Sequence, residues 1–223
     1  MVCGQMFEMK EGFALNRLKL LTMSDIPTEE VQWLWYPYLP RGKITIIQGD
    51  PGEGKTTFVL ALAALLTCGL PMPGGAESLP PMNIIYQTAE DGLADTVKPR
   101  LTALGADCSR VLVIDESERE LTLSDHRIAQ AIQETDAGLL VLDPIQAYLG
   151  EGVDMHRANE VRPIFKRLGQ LAEQTGCAIV LVGHMNKMQG VKSAYRGLGS
   201  IDFRAAARSV LLVGRSKDDS ETR

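Results

Sequence analysis

The stretch QGDPGEGKTT, Gln48 to Thr57, gathers three glycines, a lysine and two threonines directly after the apolar run KITII. From Gly49 the spacing fits G-x-x-x-x-G-K-[ST], with Gly49, Gly54, Lys55 and Thr56 at the fixed places. Asp50, Pro51, Gly52 and Glu53 lie between them, and Thr57 follows. Such a loop wraps phosphates in its backbone N–H groups. Its lysine reaches the β- and γ-phosphates, and its threonine hydroxyl holds Mg²⁺. Small residues are required because a side chain at a wrapping position would hold the backbone off the anion. A chance glycine-rich turn is the plain alternative. The context of a β-rich run before the loop and a helix opened by Lys55, Thr56 and Thr57 argues against it, since a helix N-terminus adds its own positive dipole beneath an anion. ATP with Mg²⁺ is the expected ligand pair.

Three further places hold residues suited to the same chemistry. LLVLDP puts Asp143 at the end of an apolar run, where an aspartate would hold Mg²⁺ together with Thr56 if that strand lies beside the phosphate loop. Otherwise it merely opens an Asp-Pro turn. QTAED puts Glu90 and Asp91 at another strand end. Hydrolysis needs a carboxylate to orient the attacking water, and Pro144 and Ile145 follow Asp143 where an acid could have stood. Glu90 is the better placed of the pair, the alternative being a solvated helix-capping acid. VGHMNK puts His184 at a third strand end, either facing a γ-phosphate or hydrogen-bonded in the core.

These residues must be positioned by strands and helices, and the pattern supplies both. Strands are expected at 43–48, 83–89, 111–115, 138–143, 177–184 and 209–213. Helices are expected at 54–68, 92–104, 124–133 (capped by Ser124) and about 155–174. Continuous Val/Ile/Leu strands separated by helices predict an α/β fold with a mostly parallel central sheet flanked by helices. Ligands in such sheets bind beyond the carboxyl ends of the strands. Before this core, residues 1–40 lack strong periodicity and form an N-terminal extension expected to pack on it. Their cluster WLWYPYLP could clamp an adenine or serve as a cover.

The chain has 223 residues, 45% hydrophobic and 23% charged, the composition of an ordinary globular protein. Its longest apolar stretch, 58–66, is too short to span a bilayer, and no secretory signal opens it. Cys3, Cys68, Cys108 and Cys177 form no C-x-x-C pair and read as reduced thiols, so a cytoplasmic location is expected. A net charge of −5 argues against coating nucleic acid by bulk charge. Any such contact must be local. The segment 186–200 carries Lys187, Lys192 and Arg196, one tyrosine and no acid, which suits single-stranded DNA or simply a solvated loop.

Taken in order, GDPGEGKTT, YQTAED, LVLDP, GHMNK and RGLGSIDFRAAARSVLLV resemble the RecA-like P-loop ATPase core over residues 31–215. Within it they are most similar to the RepA-type hexameric replicative helicases of plasmids and to AAA-family ATPases of phages and mobile elements. The resemblance implies that Lys55 and Thr56 bind phosphates and Mg²⁺, Asp143 the metal, and Glu90 the attacking water, while His184 senses the γ-phosphate. It also implies an arginine reaching into a neighbouring subunit of a homo-oligomeric ring. By position that is Arg208, with Arg204 second, and a structural salt bridge is the alternative. The expected organisation is a core at 41–215 and a charged tail at 216–223, cut from a longer chain. Three other functions fit parts of the pattern. They are a non-motor regulatory or repair ATPase, a small-molecule P-loop kinase, and an assembly module without turnover.

Overall fold

A computed structural model describes residues 19–155, 157–185 and 201–215. The chain divides into two units, Met1–Glu30 and Val31–Arg223. In the first, the described residues are exposed and make a single 3₁₀ turn, Met23–Asp25.

The second unit is built on six parallel strands. In chain order its elements are β1 (Trp33–Trp35), β2 (Leu39–Pro40), β3 (Ile44–Gly49), α1 (Lys55–Cys68), β4 (Ile84–Thr88), α2 (Lys98–Ala103), β5 (Val111–Leu112), α3 (His126–Thr135), β6 (Leu139–Asp143), α4 (Ala158–Thr175), β7 (Ala178–His184), α5 (Ile201–Ala206) and β8 (Ser209–Leu212). The main sheet runs β5-β4-β6-β7-β3-β8, and β1 and β2 form a separate antiparallel pair. The expected α/β architecture is the one found.

Alternation along each strand divides the core between two faces. Ile44, Ile46, Leu140, Leu142, Ile179 and Leu181 pack with α3 and α4 through Ile128, Ile132, Phe165 and Leu168. Ile47, Leu139, Val141, Val180 and Val182 pack with α1 and α2 through Leu60, Ala63, Leu66 and Leu101. Leu34 and Leu39 of the small pair join this second cluster. There Trp35 leans on Phe58, ring centroids 6.0 Å apart, and its indole N–H donates to the Pro73 carbonyl at 2.8 Å.

Several local expectations need correction. The strand placed at 111–115 is only Val111–Leu112. The amide side chain of buried Gln87 accepts from Ile114 N at 2.6 Å and donates to Ile114 O at 3.2 Å, replacing the backbone ladder there. The helix placed at 92–104 opens as a π turn, with Val97 N bonded to Gly92 O at 3.0 Å, before α2. Pro99 supplies no N–H to an ordinary helical ladder at that junction. α3 is capped by Asp125 rather than Ser124, because the Asp125 carboxylate accepts from Arg127 N at 2.9 Å while Arg119 and Arg127 hold it from the side.

Candidate functional site

The phosphate loop is made by the end of a fully buried strand. Gly49 closes β3, and a Cβ there would collide with the Val213 carbonyl oxygen. Gly52 and Gly54 adopt φ of 78° and 91°, left-handed values that carry the chain back into α1. Lys55 is 5% exposed, and its ammonium donates to the carbonyls of Gly49 at 3.0 Å and Asp50 at 2.9 Å. Burial lowers its pKa, while the nearby carboxylates of Asp143, Asp50, Glu90 and Glu53 work the other way.

Parallel register aligns the strand ends. Gly49 of β3 faces His184 of β7, and Thr88 of β4 faces Asp143 of β6. β6 does not neighbour β3, because β7 lies between them. Two strand spacings, roughly 9–10 Å, are bridged by the first turn of α1, where the Thr56 hydroxyl donates to Asp143 Oδ2 at 2.8 Å. Adjacency of the two strands, the condition read from sequence, is therefore unnecessary. Asp143 is 6% exposed. Burial raises its pKa, opposed by hydrogen bonds from Thr56 and Tyr86 and reinforced by Glu90 and Asp91.

Glu90 and Asp91 face different partners. Glu90 is 62% exposed and its Oε1 lies 3.5 Å from His184 Nε2, whereas Nδ1 of that histidine is buried without a hydrogen bond among the described residues. Asp91 is tied to Arg100 at 3.2 Å, and its N–H donates to Thr88 Oγ1. Lys55, Thr56, Asp143, Glu90 and His184 thus come together at one mouth of the sheet.

Arg208 does not join them. Its N–H donates to Ile44 O at 2.8 Å, at the opposite end of β3. Five residues of strand, about 16 Å, separate that point from Gly49. Its side chain is exposed, as is that of Arg204. The segment 186–200, with Lys187, Lys192 and Arg196, lies outside the described residues, as do 1–18 and 216–223.

Two participants escaped the sequence reading. Tyr86 donates its hydroxyl to Asp143 Oδ2 at 3.1 Å. A tyrosine directly after Ile84 and Ile85 in a strand expected to be buried was the available signal, since a buried phenol requires a partner. Arg215 lies 3.8 Å from Glu53 of the loop, and nothing in the local pattern marks that approach.

The donor set fits a nucleotide with a hard divalent cation. A hydroxyl and a carboxylate stand together beside a glycine loop and a lysine. Among the described residues no three His, Cys, Asp or Glu side chains form an all-protein metal cage. Mg²⁺ typically takes one or two protein oxygens and completes its shell with phosphates and water. Also among the described residues, no helix is long and apolar enough to cross a membrane.

The chain is similar to known proteins. The model of the AAA domain family matches residues 14–190. DNA repair protein RadA of Halalkalibacterium halodurans is 29% identical over 152 residues, covering 67% of this chain and 29% of its own length. That of Bacillus subtilis is 29% identical over 149 residues, 66% and 29% of the two chains. That of Pseudomonas aeruginosa is 30% identical over 188 residues, 79% and 37%. The chain therefore spans about a third of the length of these curated relatives.

Proposed function

The chain belongs to the AAA domain family, with a RecA-like P-loop fold, and we propose that it binds and hydrolyses ATP as the core of an oligomeric, DNA-dependent motor. The observation that carries this reading is the Thr56–Asp143 contact at 2.8 Å beside buried Lys55. It couples the phosphate loop to a metal-holding carboxylate. The glycine loop and Lys55 bind the phosphates, and Thr56 with Asp143 would hold Mg²⁺, which when bound neutralises phosphate charge. Glu90 orients the attacking water and takes its proton, and His184 holds Glu90 at the mouth of the site. Arg208, 16 Å or so from the loop by strand length, acts on a neighbouring subunit's nucleotide within a ring.

Motif order favours a replicative helicase of a plasmid, phage or mobile element, with single-stranded DNA held by segment 186–200. The relatives favour a second reading, a repair ATPase that need not separate strands, since the proteins matched are named for DNA repair. ATP turnover measured with and without single-stranded DNA tests the shared reading. DNA-stimulated hydrolysis supports it, and no hydrolysis under either condition overturns it. Strand separation on a forked duplex then divides helicase from repair ATPase.

A further inference from the structure

We propose that Tyr86 is a positioning residue for the metal site, its hydroxyl fixing the rotation of the Asp143 carboxylate. This rests on the reading of Asp143 as the metal-holding residue. Tyr86 is 0% exposed and packs in the apolar cluster beneath α1. A phenylalanine would fill that space equally well. Burying the hydroxyl is costly unless it is bonded, and among the described residues its one hydrogen bond goes to Asp143 Oδ2 at 3.1 Å.

Thr56 donates to the same oxygen at 2.8 Å. Two donors arriving from different elements, one from β4 and one from α1, fix which oxygen faces the protein. Among the described residues no donor reaches Oδ1, so that oxygen is the acceptor left for a metal-held water. A threonine hydroxyl has one proton and two lone pairs, so Thr56 can donate to Oδ2 and offer a lone pair to the cation together, and Tyr86 adds a second donor to that oxygen from another element.

The turn that follows β4 carries Glu90, the proposed water-orienting carboxylate. Beyond Tyr86, the Ala89 N–H donates to the Asp143 carbonyl at 3.2 Å, and Glu90 follows immediately. β4 is thus joined to Asp143 by a side-chain bond and a backbone bond. Glu90 is thereby held in register with the carboxylate that places the metal.

The test is Tyr86→Phe in the full chain, read by binding rather than turnover. A fluorescent ATP analogue is titrated in EDTA, and Mg²⁺ is then titrated at fixed nucleotide. Nucleotide affinity in EDTA stays within about twofold of wild type. The Mg²⁺ concentration for half-effect rises about five- to tenfold, the scale of one typical intramolecular hydrogen bond. In an Asp143→Asn background, Tyr86→Phe adds less than about twofold, because the carboxylate it acts through is gone.

Unchanged Mg²⁺ dependence in Tyr86→Phe overturns the proposal. So does an equal loss in EDTA and in Mg²⁺, or a variant that fails to fold, since either makes the hydroxyl a core feature. A full additional effect on Asp143→Asn overturns it too. If the wild-type chain binds nucleotide with no response to Mg²⁺, the reading of Asp143 falls first and takes this proposal with it.

Discussion

Replacing Gly49 by alanine isolates one contact at the root of the phosphate loop. Its φ lies outside the left-handed range, so the added methyl meets no backbone strain, only neighbours. The neighbour is the Val213 carbonyl oxygen, approached more closely than a methyl can tolerate, with Val213 C at 3.3 Å and Lys55 Cδ at 3.5 Å. The oxygen is backbone and cannot rotate away. Relief requires the end of β8 to part from β3, where Val213 N donates to Gln48 O at 2.9 Å. Overpacking costs about 1–3 kcal/mol, and a strained or lost backbone bond adds about 1 kcal/mol. A total near 2–4 kcal/mol lowers the melting midpoint by roughly 5–15 °C in a protein of this size. Gly52→Ala is the matched control. It has open space within 4 Å but φ +78°, so its cost is left-handed strain alone, about 1–2 kcal/mol. Differential scanning calorimetry or urea unfolding ranks the two. If Gly49→Ala melts with the wild type, or is milder than Gly52→Ala, β8 does not clamp the loop as described.

Other outcomes follow from the same geometry. Lys55→Ala removes the cation beside the phosphates and abolishes ATP binding in equilibrium titrations, while the circular dichroism of the fold is retained. Asp125, whose side chain is 0% exposed, is held near a pKa of about 2 by hydrogen bonds from the Arg127 side chain and backbone and by the charge of Arg119. Because that pKa is depressed, the stability it contributes is full above the ordinary 3.8 and is lost as pH falls towards about 2. Asp125→Asn therefore costs about 2 kcal/mol at neutral pH and flattens acid unfolding across that window, as measured by urea midpoints against pH. Mixing Arg208→Ala chains with Lys55→Ala chains restores part of the ATPase activity if the arginine acts across subunits. A mixture that stays inactive while each variant assembles makes Arg208 structural.

What could be read from sequence was whatever local pattern enforces. Glycine spacing with a lysine and a threonine defines the loop because only small residues permit the wrap. Runs such as LLVLD give buried parallel strands because both faces are covered. Strand order was not legible, since no residue in β6 or β7 records that β7 inserts beside β3. The Thr56–Asp143 contact was therefore expected for the right residues on an unnecessary condition. Gln87 replacing a backbone partner at Ile114, and Tyr86 reaching Asp143 across adjacent strands, are side-chain contacts over long sequence separations. Periodicity carries no trace of either. Asp125 outcompeted Ser124 as the cap because two arginines from the preceding loop and the helix converge on a carboxylate, which a serine hydroxyl could not balance.

The central claim is a catalytic division of labour at the sheet's mouth. On the proposed reading, Lys55, Thr56 and Asp143 would bind the nucleotide and its cation, and Glu90, exposed beside His184 Nε2 at 3.5 Å, would activate water. Measuring ATP affinity and kcat together for Glu90→Gln tests it most directly. Affinity should stay near wild type while kcat drops about a hundredfold or more, the scale of a positioned base. Turnover at the wild-type rate in Glu90→Gln, with the loss appearing instead in Asp91→Asn, would contradict the assignment.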